Sequence, residues 1–136
     1  MSEYAKPLPS VDEREKPFWE AARRHELVMQ RCLDCGRFRN PPAELCPVCL
    51  SSRSEWSRVI GRGTVYSWVV YHRAFHPAFV PDLPYAVALI ELEEGPRLFS
   101  NIVSCNLKDI HIGMPVEVVF DDVTDEVTLP KFKPSV

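Results

Sequence analysis

Four of the five cysteines in this 136-residue chain fall within one short stretch, "RCLDCGRFRNPPAELCPVC". They form two Cys-x-x-Cys pairs, Cys32/Cys35 and Cys46/Cys49, with ten residues between the pairs. No other feature of the sequence limits the fold so tightly. Each pair offers two thiolates from one tight turn, and two such turns close a tetrahedral sulfur shell around a metal. Gly36 directly follows Cys35. A residue without Cβ lets the chain curl there and aim backbone N–H groups at the sulfur. Pro47 stiffens the second turn. Leu50-Ser51-Ser52 stands where a second glycine would be useful, so that turn is expected to be the less ideal of the two.

A segment of about 25 residues cannot bury enough apolar surface to fold alone, and a metal substitutes for the missing core. Structural zinc, with all four positions filled by protein, is the expected occupant. Iron accepts the same four sulfurs in a rubredoxin-like site and stays open as the alternative. A thioredoxin-like redox role would need one pair beside a βαβ unit, a pattern missing from the sequence. The stretch "MSEYAKPLPSVDEREKPF" has no apolar core of a secretory signal, and no apolar run approaches the ~18 residues of a membrane span. The expected location is therefore cytoplasmic, where thiols stay reduced and disulfides are disfavoured. Cys105, in "LFSNIVSCNLKDI", follows a strand-like run and is expected to be an inert, at least half-buried thiol.

Thirteen prolines against five glycines predict many fixed turns and little continuous helix. The chain divides into three segments. Residues 1–27 read as a polar, flexible arm followed by a helix from about Glu15 or Lys16 to His25, with Pro17 in its first turn. Acidic residues come first there, and Arg23, Arg24 and His25 last, as the helix dipole favours. Phe18, Trp19 and Ala22 fall on one face, large for so short a helix. That face either packs on its own chain or docks another protein. Residues 28–58 read as a zinc ribbon, with strands expected at "ELVMQRC", "ELCPVC" and "RSEWSRV". Residues 59–136 are β-rich and alternate with period two: "GRGTVYSWVVYHR", "PYAVALIEL", "RLFSNIV" and "GMPVEVVF", then a short hairpin around Thr124-Asp125. Five strands in so short a segment close most economically as a small OB-type barrel. The predicted fold is thus mainly β: helix, ribbon, five-stranded barrel.

Between the first two barrel strands lies "YHRAFHPAFVPDLPY", too aromatic and too basic for a plain connector. Tyr71, His72, Arg73, Phe75, His76 and Tyr85 are its candidate ligand-facing residues. A proline-pinned cap built on Phe75 and Phe79 is the structural alternative. His72 and His76 lack a carboxylate or cysteine in register to complete a metal site.

Taken in order, "FWEAARRHELVMQRCLDCG", "CPVC", "GRGTVYSWVVYHRAFHPAF", "PYAVALIELEEG" and "IGMPVEVVF" resemble the DUF35 proteins. The resemblance runs from about Asp12 to Phe132 and implies a rubredoxin-like zinc ribbon joined to an OB-fold. Members typically partner thiolase-superfamily enzymes that act on CoA thioesters. The resemblance implies that Cys32, Cys35, Cys46 and Cys49 hold the metal and that the helix bearing Phe18 and Trp19 packs on a thiolase-fold catalytic subunit. It places the Tyr71 to Tyr85 loop near an acyl-CoA route. It implies no catalytic residue in this chain, and nothing in the sequence resembles the hydratase domain to which some DUF35 units are fused.

Read residue by residue, Cys105 with His25, His72, His76 and His111 forms no recognisable nucleophile and base set, which argues against an independent enzyme. Arg73, His72 and Lys108 are candidates for meeting CoA phosphates. The alternative class is a nucleic-acid binder, with Arg23, Arg24, Arg31, Arg37 and Arg39 as a basic patch and Tyr66, Trp68 and Tyr71 as stacking rings. A net charge of −3 and the run "DDVTDE" oppose it.

Overall fold

The computed structural model describes residues 4–135. Helix α1 (Lys16–Arg23) starts with Pro17 in its first turn, where a missing N–H costs no intrahelical bond. It ends two residues earlier than the sequence predicts. His25 takes a left-handed φ of 60°, and the N–H groups of Arg24 and Glu26 both close on the Ala21 carbonyl. The acidic residues precede the helix instead of occupying its first turn. Asp12 accepts from the Glu15 N–H at 2.9 Å through Oδ1.

The ribbon is a three-stranded antiparallel sheet in the order β2-β1-β3, from β1 (Val28–Cys32), β2 (Phe38–Arg39) and β3 (Ser54–Arg58). The predicted strand at "ELCPVC" is not there. Residues 44–49 are turn and coil, and β2 lies earlier, between the two cysteine pairs. The physical reason is a polar clasp. Arg39 is buried and donates from Nε to Gln30 Oε1 at 3.0 Å and from Nη2 to the Ala43 carbonyl at 2.8 Å. Gln30 in turn donates to the Ala43 carbonyl and accepts from the Ala43 N–H. The clasp uses the side chains of β1 and β2 to hold the backbone ahead of Cys46, so that segment pairs with side chains instead of a strand.

Five strands close the barrel: β4 (Arg62–Tyr71), β5 (Tyr85–Leu92), β6 (Arg97–Ile102), β7 (Pro115–Asp122) and β8 (Thr128–Pro134), in the order β4-β5-β6-β8-β7. The predicted count and segments match this arrangement. In β5 the alternation is complete, with Ala86, Ala88, Ile90 and Leu92 all buried. Strand β4 serves two neighbours: Gly63 pairs with Leu92 on β5 and with Val116 on β7. A Cβ at Gly63 would lie 2.2 Å from the Glu91 carbonyl oxygen, so only glycine permits this crossing. The barrel shuts where Ile102 meets Phe132 in parallel, with the Val103 N–H donating to the Phe132 carbonyl at 2.8 Å. Phe132 is fully buried, and Ile90, Leu92, Val65 and Val116 are its largest barrel companions in the core. Leu27 and Met29, at the entry to the ribbon, belong to the same apolar core. Ribbon and barrel are therefore fused through shared packing, not strung on a linker.

Candidate metal centre and aromatic loop

The four predicted cysteines come together at one end of the ribbon. Their sulfurs all lie within 4.8 Å of one another, with Cys32 and Cys49 at 3.5 Å and Cys35 and Cys46 at 3.6 Å. Four sulfurs ~2.3 Å from a central zinc stand about 3.8 Å apart along each tetrahedral edge. The cluster is thus close to the size that a metal requires. The two turns are built alike. The Cys35 N–H points at Cys32 Sγ and the Val48 N–H at Cys46 Sγ, both at 3.4 Å. Gly36 N–H closes on the Cys32 carbonyl at 3.0 Å, and Leu50 N–H on the Cys46 carbonyl at 2.9 Å. The second turn, expected to be less ideal, closes as tightly as the first because Leu50 itself adopts a left-handed φ of 64°. Cys32 and Cys46 are buried, Cys35 and Cys49 exposed.

Electrostatics at the cluster favour a cation. The Cys35 N–H draws the Cys32 thiol down to about 6, and the Cys49 N–H draws the Cys46 thiol down. At Cys49 the Ser51 N–H favours the thiolate, but the bond to Cys32 and burial oppose it and push the thiol up to about 12. Packed sulfurs cannot all ionise unless a positive ion joins them. Asp34 and Arg53 bridge the two turns from outside, with Nη2 to Oδ1 at 2.7 Å, and Ser51 donates to the same carboxylate. The donor set fits a structural metal.

The Tyr71 to Tyr85 loop is not irregular throughout. His76 caps a 3-10 helix, Pro77–Asp82, by accepting from the Ala78 N–H through Nδ1 at 3.1 Å. Its rings form one chain of contacts: Phe75 to Tyr71 at 5.9 Å, Tyr71 to Tyr85 at 5.2 Å, Tyr85 to Phe79 at 5.6 Å. Arg73 stands over Phe75, which is 79% exposed. His72 is exposed, and Lys108 lies elsewhere, on the 3-10 turn Leu107–Asp109. The arm, expected to be flexible, lies against this loop from residue 4 onward in this structure; residues 1–3 lie outside the described part. Lys6 contacts Phe79 and Asp82, two loop residues outside the candidate ligand-facing set.

On the helix, Phe18 packs against the core and meets Trp19 edge-on at 5.0 Å. Both also line a groove of about 300 Å³ with Trp56, Phe99 and Pro130. Cys105 is half-buried, its thiol donates to the Asn106 carbonyl, and burial pushes its pKa up. A thiol held protonated in this way is a poor nucleophile. No helix among the described residues is long and apolar enough to cross a membrane.

The sequence pattern of the ChsH2 rubredoxin-like zinc ribbon domain matches residues 19–55, and that of the ChsH2 C-terminal OB-fold domain matches residues 56–121. A DUF35 domain-containing scaffold protein of Methanocaldococcus jannaschii is 39% identical over 76% of this chain and 73% of its own length. The chain belongs to the DUF35 family. A probable enoyl-CoA hydratase alpha subunit of Thermomonospora curvata is 44% identical over 96% of this DUF35 chain, which spans 40% of that relative's length. A chain of the solved Ltp2-ChsH2(DUF35) aldolase superposes with a TM-score of 0.86 at 42% identity, over 95% of this chain and all of that one.

Proposed function

We propose that this chain is the zinc-ribbon and OB-fold subunit of a heteromeric thiolase-superfamily complex, a thiolase or an aldolase, acting on acyl-CoA thioesters. The observation that carries the proposal is the likeness, over 95% of this chain, to a chain of the Ltp2-ChsH2(DUF35) aldolase at 42% identity. The chain braces a thiolase-fold catalytic partner and supplies no catalytic residue. Burial pushes the Cys105 thiol pKa up, which disfavours a nucleophilic thiolate and supports that division of labour. The four cysteines hold a structural zinc, whose contribution is to fix the ribbon's shape; Cys32, Cys35, Cys46 and Cys49 are the ligands. Phe18 and Trp19 flank the docking groove. The loop from Tyr71 to Tyr85 shapes the acyl-CoA channel. There Arg73 meets phosphate or the polar arm of CoA, His72 and His76 flank the polar rim, and Tyr71, Phe75 and Tyr85 wall the acyl group.

The test is co-expression from the chain's own locus with an affinity tag on this subunit. A stable stoichiometric complex with a thiolase-fold polypeptide is expected. Recovery of the tagged chain alone, from cells in which that polypeptide is abundant, would overturn the reading.

A further inference from the structure

Ahead of the helix, residues 4–9 lie against the aromatic loop. Lys6 makes the connection. Its Nζ is 2.5 Å from Asp82 Oδ2 and stands 5.5 Å from the Phe79 ring centroid and 5.9 Å from that of Tyr4. The hydrogen bond to Asp82 raises the Lys6 pKa, which keeps the ammonium charged. Arm and loop line one cavity of about 350 Å³: Tyr4, Lys6 and Pro7 from the arm, Phe79, Asp82 and Tyr85 from the loop. Within the loop the 3-10 helix is held by short-range bonds, Phe79 N–H to the His76 carbonyl and Leu83 N–H to the Val80 carbonyl. Such bonds shape the loop without fastening it to the barrel. Pro7 and Pro9 restrict φ on the other side of Lys6, which stiffens the arm.

We propose that residues 4–9 are a strap that holds the aromatic loop closed over this cavity, with the Lys6–Asp82 pair as its latch. Lys6 is 25% exposed and Asp82 43%. An ion pair at that exposure is weak and screened by salt, so it releases without unfolding the barrel. Release frees one face of Phe79 and opens the cavity from the side of the arm. The inference concerns this chain alone and does not depend on the partner proposed above.

Amide hydrogen exchange on the isolated full chain tests it. In Lys6→Ala and in Asp82→Asn, the Phe79 and Leu83 amides should exchange about three- to fivefold faster, while the barrel amides of Leu92 and Val118 stay unchanged. The double variant should add little to either single one. The charge-swapped pair, Lys6→Asp with Asp82→Lys, should restore protection to within about twofold of the parent. Unchanged exchange at Phe79 and Leu83 in both single variants would overturn the proposal. So would acceleration that the charge swap leaves uncorrected, since the pair would then not be the latch.

Discussion

Leu50 takes up the left-handed backbone conformation of Gly36, each standing one residue past the second cysteine of its pair, at φ 64° and 78°. Glycine enters that region freely, whereas a leucine held there costs about 1–2 kcal/mol. Leu50 gains little packing in return, being 70% exposed. Replacing Leu50 with Gly should therefore stabilise the metal-loaded protein by about 0.5–1 kcal/mol, after the extra entropy of glycine in the unfolded chain is subtracted. Gly36→Ala should act in reverse by about 0.5–1 kcal/mol, the backbone strain less the entropy that alanine removes from the unfolded chain, because the nearest atom to a new Cβ is Arg31 Nη2 at an ordinary 3.6 Å. Chemical denaturation of both variants at saturating metal checks the signs.

Metal analysis should find one zinc per chain, and X-ray absorption should find four sulfurs at ~2.3 Å with no nitrogen or oxygen ligand. Cys35→Ser should lose metal, loosen the ribbon and weaken partner binding, instead of removing a chemical step. An assembled Cys35→Ser complex with normal stability but no turnover would assign the site a catalytic role.

Asp122 gives a pH prediction. The Thr128 hydroxyl, 2.5 Å from Oδ1, and His25 Nε2, at 2.9 Å, hold its carboxyl below the usual carboxylate range. A depressed folded-state pKa means stability present above the unfolded value of ~3.9 and lost as pH falls through the folded one. The Tm of the parent should exceed that of Asp122→Asn at neutral pH, and the gap should shrink as pH falls below about 4. A gap that widens in acid would reverse the assignment.

Two loop substitutions separate phosphate recognition from acyl recognition. In an assembled complex, Arg73→Ala should raise KM for all CoA esters alike, with kcat little changed. Phe75→Ala should alter the preference among acyl groups by about 1–3 kcal/mol per lost contact. Wild-type kinetics from both, in complexes intact by gel filtration, would remove the loop from the channel and leave this subunit only a brace.

Much of this was legible because the signals were local or strictly periodic. Cys32, Cys35, Cys46 and Cys49 announce their cluster by spacing, and Ala86, Ala88, Ile90 and Leu92 announce a buried face by alternation. The strand misread at "ELCPVC" depends on Arg39 and Gln30 gripping Ala43, a tertiary contact between side chains that no residue near Cys46 reveals. The helix end was misplaced because His25 occupies a left-handed cap usually given to glycine. Lys6 and Asp82 lie 76 positions apart, and no periodicity joins residues across such a separation.

In the proposed function this chain assists chemistry done by another subunit. Reconstitution from separately purified components tests it most directly, with acyl-CoA cleavage followed for this chain alone, for the thiolase-fold partner alone and for the two together. No turnover by this chain and full turnover only in the mixture are expected. Acyl-CoA cleavage by this chain alone, or a partner equally active without it, would rule out an assisting role.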